Sequence, residues 1–227
     1  IKAVLITSDY KTIASGSFVW ENQFKDQIWT YSLDTVWQGI QASYSQMAAE
    51  VHSKYHQSLT SIKSIGISAM MHGYLAFSKN NDLLVPFRTW RNNITEESAA
   101  KLTEAFSFNI PQRWTIAHLY QAILNGEEHV KDIDFVTPLA GYVHWKLSGE
   151  KVLGVGDASG VFPIDEKTGY YSKSMLKTFA ELENVKQFDW DINQVLPDVK
   201  SAGEKAGELT AEGANLLDVT GKLQAGS

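Results

Sequence analysis

Four short stretches of this 227-residue chain combine residue types able to do chemistry. The first is Met70-Met71-His72-Gly73, directly after the apolar run Ile65-Gly66-Ile67-Ser68-Ala69. In open α/β sheets ligands bind beyond the carboxyl ends of the strands, so residues following a buried strand are the first place to look. Met71 offers an adaptable thioether and His72 an imidazole that both donates and accepts, while Gly73 permits close backbone approach or an unusual dihedral. The plainer reading is a half-buried histidine in a turn. The second stretch is Arg88-Thr89-Trp90-Arg91-Asn92-Asn93. An indole face packs on the C–H face of a sugar ring, and Arg91 and Asn92 supply donors and an acceptor for adjacent hydroxyls. The same residues equally describe a loop with an anchored tryptophan and solvated charges.

The third stretch, Gly154-Val155-Gly156-Asp157-Ala158-Ser159-Gly160, either poses a carboxylate in a cleft or closes an Asx-turn on its own backbone. It is no phosphate-binding fingerprint, because the Walker lysine is absent and the glycine spacing does not suit a dinucleotide turn. The fourth, Gln112-Arg113-Trp114, stands at a helix start, where a helix terminus and a guanidinium meet an anion or hydroxyl, or simply cap a surface. Other chemistries find less support. His52 and His56 are four apart on one helix, but Ser53 stands where a zinc-protease motif carries glutamate. No Gly-x-Ser-x-Gly elbow exists for a serine nucleophile. With no cysteine there is neither a thiolate site nor a disulfide, which fits a reducing, cytoplasmic setting. A net charge of −6 argues against nucleic-acid or anionic-lipid partners, and no apolar run approaches the roughly 20 residues of a membrane helix. Asn93-Ile94-Thr95 matches a glycosylation sequon, read as chance in the absence of a visible signal peptide.

The elements that must position these residues are legible in outline. Residues 1–7 and 12–20 read as a hairpin, and Val36, Ile40, Tyr44, Met47, Val51 and Tyr55 recur at three- and four-residue steps along a long helix. The apolar run 64–70 predicts a strand covered on both faces. Leu75–Ser78 and Leu83–Val85 flank a tight turn at 79–82. Thr95 predicts the cap of a helix through Ala99, Leu102 and Phe106. Pro111 opens another through Leu124, stopped by Asn125-Gly126. Further helices are expected over 139–147 and 173–182, with strands over 152–155 and 161–164 around a turn at 156–160. No linker or repeat intervenes, so the chain reads as one α/β unit of mixed sheet and flanking helices, with an inserted hairpin and inserted helices.

Taken in order, Ile65-Gly66-Ile67-Ser68-Ala69-Met70-Met71-His72-Gly73, Val85-Pro86-Phe87-Arg88-Thr89-Trp90-Arg91-Asn92, Leu147-Ser148-Gly149-Glu150, Gly156-Asp157-Ala158-Ser159-Gly160, Leu196-Pro197-x-Val199 and Ala206-Gly207-Glu208-Leu209-Thr210 run through most of the chain. This series resembles the N-terminal domain of the FGGY carbohydrate kinases, in particular the xylulokinase-like branch, where a strand ends in Met-His-Gly and a nearby segment reads Pro-x-x-x-Trp-x-Asp/Asn. The resemblance implies an actin-like ATPase architecture, in which two ribonuclease-H-like domains close on a sugar and Mg-ATP. It implies further that Met71, His72, Trp90, Arg91 and Asn92 face the sugar, that Asp157 lies close by, and, more loosely, that Gln112 and Arg113 do too. Asn92 stands where xylulokinases carry aspartate.

The resemblance also implies parts not found between Ile1 and Ser227. The family's Gly-x-Asp/Glu-x-Gly-Thr/Ser phosphate turn would precede Ile1. Its catalytic aspartate, in Gly-Asp-Asn or Gly-Asp-Ala, would follow Ser227, together with a C-terminal nucleotide-binding domain. The expectation is therefore residues 1–227 of a domain truncated at both ends, inactive alone, belonging to a kinase that phosphorylates a ketose or polyol. Its partners would be the sugar and its own C-terminal domain, with an exposed interdomain face favouring a homodimer. No metal ligand is expected from this chain. Two other classes stay open: a non-catalytic sugar-binding or regulatory module on the same fold, and an actin-like structural or chaperone domain that binds no sugar.

Overall fold

Alternating residues at the start of the chain form a hairpin, β1 (Lys2–Ile6) running antiparallel to β2 (Thr12–Ser17) with Leu5 opposite Ala14. A second, smaller hairpin, β3 (Gln23–Lys25) and β4 (Ile28–Thr30), turns through Asp26 and Gln27, both in the left-handed region that matches the twist of a two-residue loop. The long helix α1 (Leu33–Tyr55) follows, burying Val36, Trp37, Tyr44, Met47 and Val51 along one stripe and ending at His56 in the left-handed conformation. The computed structural model describes residues 1–226, so the expected catalytic aspartate lies outside the described residues. The backbone of β2 crosses α1 so closely at Gly16 that a Cβ there would fall on the Ser43 carbonyl.

The expected buried strand at 64–70 does not form. Residues 64–70 carry no strand, Ile65 is 38% exposed, and 63–69 make no backbone hydrogen bond among the described residues. The run is mostly apolar and carries two β-branched residues, Ile65 and Ile67, but no described strand exchanges backbone hydrogen bonds with it. Strand structure needs that neighbour as much as it needs propensity.

The strand that does form begins later. In β5 (Gly73–Phe77) every residue is buried. Tyr74 and Ala76 face one apolar core while Leu75 and Phe77 face a second, as period-two alternation dictates for a strand between two layers. The turn expected at 79–82 is present, with Asn81 left-handed and Leu84 N–H bonded to the Ala76 carbonyl, but only Leu83 bridges back to Phe77. The antiparallel partner is the shorter β6 (Arg88–Thr89). Next come α2 (Glu96–Phe106), α3 (Thr115–Leu124), a 3-10 turn at Glu128–Asp132, and β7 (Phe135–Thr137), which pairs with the other edge of β5. The helix α4 (Leu139–Ser148) ends at Gly149, whose φ of 78° suits a glycine cap.

Then follow β8 (Val152–Gly154), the short α5 (Val155–Ala158), the ribbon β9 (Ile164–Asp165) with β10 (Tyr170–Tyr171), α6 (Lys173–Ala180), α7 (Ile192–Val195), β11 (Asp198–Lys200) and α8 (Ala211–Leu217). The α/β class is as expected. The described strands make five small sheets, antiparallel except for the parallel pair of β8 and β11. The expected helix from Pro111 starts at Thr115, the one expected to reach Leu182 stops at Ala180, and the turn expected at 156–160 begins as a helical turn. No described helix is long and apolar enough to cross a membrane.

Candidate functional site

The site is built around Gly73. Its φ of +113° is a conformation L side chains rarely adopt, and a Cβ there would stand 2.6 Å from the Arg88 carbonyl, so only glycine fits. The Gly73 amide donates to the Arg113 carbonyl at 3.1 Å, and the Thr115 hydroxyl donates to the Gly73 carbonyl at 2.7 Å. These bonds bring the turn before α3 against Met71 and His72. From behind, Gly160 packs so closely that a Cβ would lie 2.5 Å from the Met71 carbonyl and 3.1 Å from His72 Cδ2. Thr115 and Ile116 amides reach the Gly160 and Val161 carbonyls at 3.3 and 3.1 Å, locking α3 to that segment. On the remaining side β6 pairs Gly73 with Thr89 and delivers Trp90, which is 45% exposed.

The result is a cavity of about 380 Å³ lined by Ala69, Met70, Met71, His72, Trp90 and Arg113. Burial, reinforced by the Arg113 charge, holds the His72 imidazole below its ordinary value of 6.5, so at neutral pH it is uncharged and can both donate and accept. The Arg91 guanidinium sits 4.7 Å from the Trp90 ring centroid and stiffens the exposed indole. An indole face, a neutral imidazole, a guanidinium and a thioether in one shallow cavity suit a small polar ligand with an apolar face.

The other sequence-selected residues are placed differently. Asn92 was expected to face the ligand. Instead it is 3% exposed and its amide is committed to backbone: Oδ1 accepts from the Trp29 amide at 2.9 Å, and Nδ2 donates to the Trp29 and Thr89 carbonyls at 2.8 and 2.9 Å. With both ends of the amide used, Asn92 staples the β3–β4 hairpin to the end of β6. Asn92→Ala is expected to lower stability by about 1–3 kcal/mol through the unpaired Trp29 groups, read as a reduced thermal midpoint. Gln112 does not line the cavity; its carbonyl accepts from the Thr95 hydroxyl at 2.6 Å, so Thr95 ties α2 to this turn rather than capping with its side chain. Asp157, on α5, is half-buried, and burial raises its carboxyl above the ordinary 3.8. It borders a neighbouring groove of about 560 Å³, with His144 and Ser148, rather than the His72 cavity. Among the described residues no three His, Asp or Glu side chains converge to hold a metal ion.

The model of the N-terminal domain of the FGGY family of carbohydrate kinases matches residues 1–221. The chain belongs to this family. Solved structures agree in fold. A xyloylose kinase from Brucella ovis superposes with a TM-score of 0.78 at 20% identity, covering 99% of this chain and 44% of that one. A gluconate kinase from Lactobacillus acidophilus gives 0.75 at 16%, covering 95% and 42%. Plasmodium falciparum glycerol kinase with ADP gives 0.73 at 16%, covering 96% and 44%. The FGGY domain therefore has the actin-like ATPase fold and spans less than half the length of these structures. No curated protein matches it by sequence.

Several residues that shape the cavity of this FGGY domain were not picked from sequence as ligand contacts. Thr89, Thr95 and Thr115 orient backbone through their hydroxyls, donating to Trp29, Gln112 and Gly73. A buried polar group, Tyr74, Arg88, Glu127 and His129, lies under β5 and β6. The only sequence signal for it is the position of Arg88 two residues before Trp90.

Proposed function

We propose that this FGGY domain is the sugar-binding half of an ATP-dependent kinase that phosphorylates a hydroxyl of a ketose or polyol, with a xylulose-like substrate. The observation that carries the reading is the convergence of Met71, His72, Trp90 and Arg113 on one cavity from three separate segments. Trp90 stacks on the C–H face of the sugar, neutral His72 bonds one hydroxyl as donor or acceptor, and Arg113 donates to another. The Asp157 backbone carbonyl accepts from the Gly160 amide at 3.0 Å, which holds the Gly160 turn behind Met71. In phosphoryl transfer a protein mostly positions reactants and stabilises charge, and these residues do the positioning for the acceptor. FGGY kinases use ATP. We assign ATP, Mg²⁺ and the catalytic base mainly to parts outside this chain, with the C-terminal domain as its partner in a cytoplasmic enzyme, since the chain spans less than half of each kinase it superposes on.

The test is calorimetric binding of pentuloses, hexuloses and polyols to the chain, beside an ATP-turnover assay. Millimolar binding of one sugar class without turnover is the expected result, and turnover by the chain alone would overturn the assignment of the base. Trp90→Ala is expected to weaken binding about tenfold, the value of one lost ring stack, while leaving the thermal midpoint nearly unchanged. Unaltered affinity in that variant would remove the sugar from this cavity.

A further inference from the structure

The two walls of the His72 cavity hang from a very short ladder. Only two register pairs join β5 and β6, Gly73 with Thr89 and Tyr74 with Arg88. His72 precedes the first strand and Trp90 follows the second, so their spacing depends on how firmly that two-pair ladder is held. A second fastening lies beneath it. Arg88 reaches away from the cavity, its guanidinium 5.5 Å from the Tyr74 ring centroid, and grips Glu127 with both terminal nitrogens, Nη1 at 3.2 Å from Oε1 and Nη2 on Oε2. The Arg88 side chain is 7% exposed and that of Glu127 24%. From Glu127 the network continues to His129, whose Nδ1 is 3.5 Å from Oε2, and from His129 Nε2 to the Tyr74 hydroxyl at 2.9 Å. Asn125 Nδ2 donates to Glu127 Oε1 at 3.3 Å, and the Glu127 amide is bonded to the Ala122 carbonyl at 3.0 Å, so the anchor is the end of α3. One carboxylate thus holds β6 directly through Arg88 and β5 indirectly through Tyr74.

We propose that Arg88 and Glu127 are positioning residues for the sugar cavity: their fork, extended through His129 to Tyr74, fixes the spacing of His72 and Trp90. This rests on the sugar-site reading above. A bidentate guanidinium–carboxylate pair fixes both distance and angle, which a single backbone pair does not. Stability alone does not explain the arrangement, since a buried ion pair is often no more stabilising than a well-packed apolar pair of similar volume.

The test compares wild type, Glu127→Gln and, as a control in the other core, Val51→Ala, using D-xylulose as the probe and each protein's thermal midpoint as the measure of destabilisation. Glu127→Gln is expected to weaken xylulose binding at least tenfold, while Val51→Ala, though destabilised, binds as wild type does. Equal affinity in wild type and Glu127→Gln overturns the proposal. A readout independent of sugar is the NMR titration of the His72 imidazole, whose charged neighbour is Arg113. Loosening the walls admits water, so its midpoint should rise towards 6.5 in Glu127→Gln and not in Val51→Ala. If wild type binds no xylulose but that midpoint rises, the sugar reading fails and the positioning role stands. An unchanged midpoint in folded Glu127→Gln sinks the positioning role whatever the ligand. Should Glu127→Gln not fold, Asn125→Ala, which removes the amide steadying Glu127 Oε1 together with the Oδ1 that accepts from Gln121 Nε2, is expected to move both readouts in the same direction by a smaller amount.

Discussion

Arg88→Met is expected to destabilise the domain by about 3–5 kcal/mol, measured as a lowered denaturant midpoint at neutral pH. The loss comes less from the methylenes than from Glu127, left as a charge without its fork in a half-buried site. Removing both partners is a different matter. Arg88→Met combined with Glu127→Leu should recover most of the loss, because an apolar pair of similar volume leaves no uncompensated charge. The pH dependence follows from Glu127. Burial pushes its carboxyl up, but the Arg88 fork and charge, helped by Asn125 and His129, outweigh that and hold it below its ordinary 4.5. A group whose folded value is depressed contributes stability that is present above its unfolded value and is lost as pH falls through the folded one. In Arg88→Met that lowering is gone and burial prevails, so the variant's Glu127 takes up a proton more readily. The gap between wild type and variant should therefore begin to narrow above 4.5, where the variant's Glu127 takes up its proton, and go on narrowing as pH falls through the lowered wild-type value. A gap constant with pH would show that the fork is not the source of the effect.

Phe77→Ala is expected to cost a similar ~3–5 kcal/mol, read by the same denaturant titration. Phe77 closes the second core, its ring stacked 5.6 Å from Tyr142 and edge-on to Trp145 at 5.1 Å, with Phe135 at 6.4 Å. Truncation leaves a cavity under the strand that separates the two cores, where neighbours on both faces prevent collapse. Phe24→Ala, on a hairpin position 60% exposed, removes a ring of the same size and should change stability by no more than about 0.5 kcal/mol. Equal losses at the two sites would contradict the two-layer description of β5.

The five longest helices of this domain were legible because their signals are local, whereas the short α5, α7 and α8 were not read. The stripe from Val36 to Val51 and the Asn125-Gly126 and Ser148-Gly149 stops each act within a turn or two of the chain, and α1, α3 and α4 end where they indicate. The run at 64–70 misled because its signal concerns only one side of a two-sided bond: its side chains suit a strand, but no described strand answers it. Met71, His72, Trp90 and Arg113 were found by residue type and motif order and do meet in one cavity. Asn92 has the right type for a ligand contact and a different task, because nothing in the sequence reveals that Trp29, far away in the chain, brings a backbone amide and carbonyl to it. Arg88 stood in a selected stretch, but its buried pairing with Glu127 was not legible, because burial of a charge is decided by what packs above it.

The open run at 64–70 also governs how the domain behaves among copies of itself. β1 has β2 on one edge and no described strand on the other, and its Val4 and Ile6 point outward, 44% and 49% exposed, while Ile65 is exposed on the unanswered run. Exposed apolar stretches whose backbone is largely unpaired among the described residues are templates for pairing between molecules. Lys2 and Lys63, each at the start of such a stretch, are the charges that oppose it. Colloidal behaviour at high protein concentration should therefore depend on these two lysines and on ionic strength.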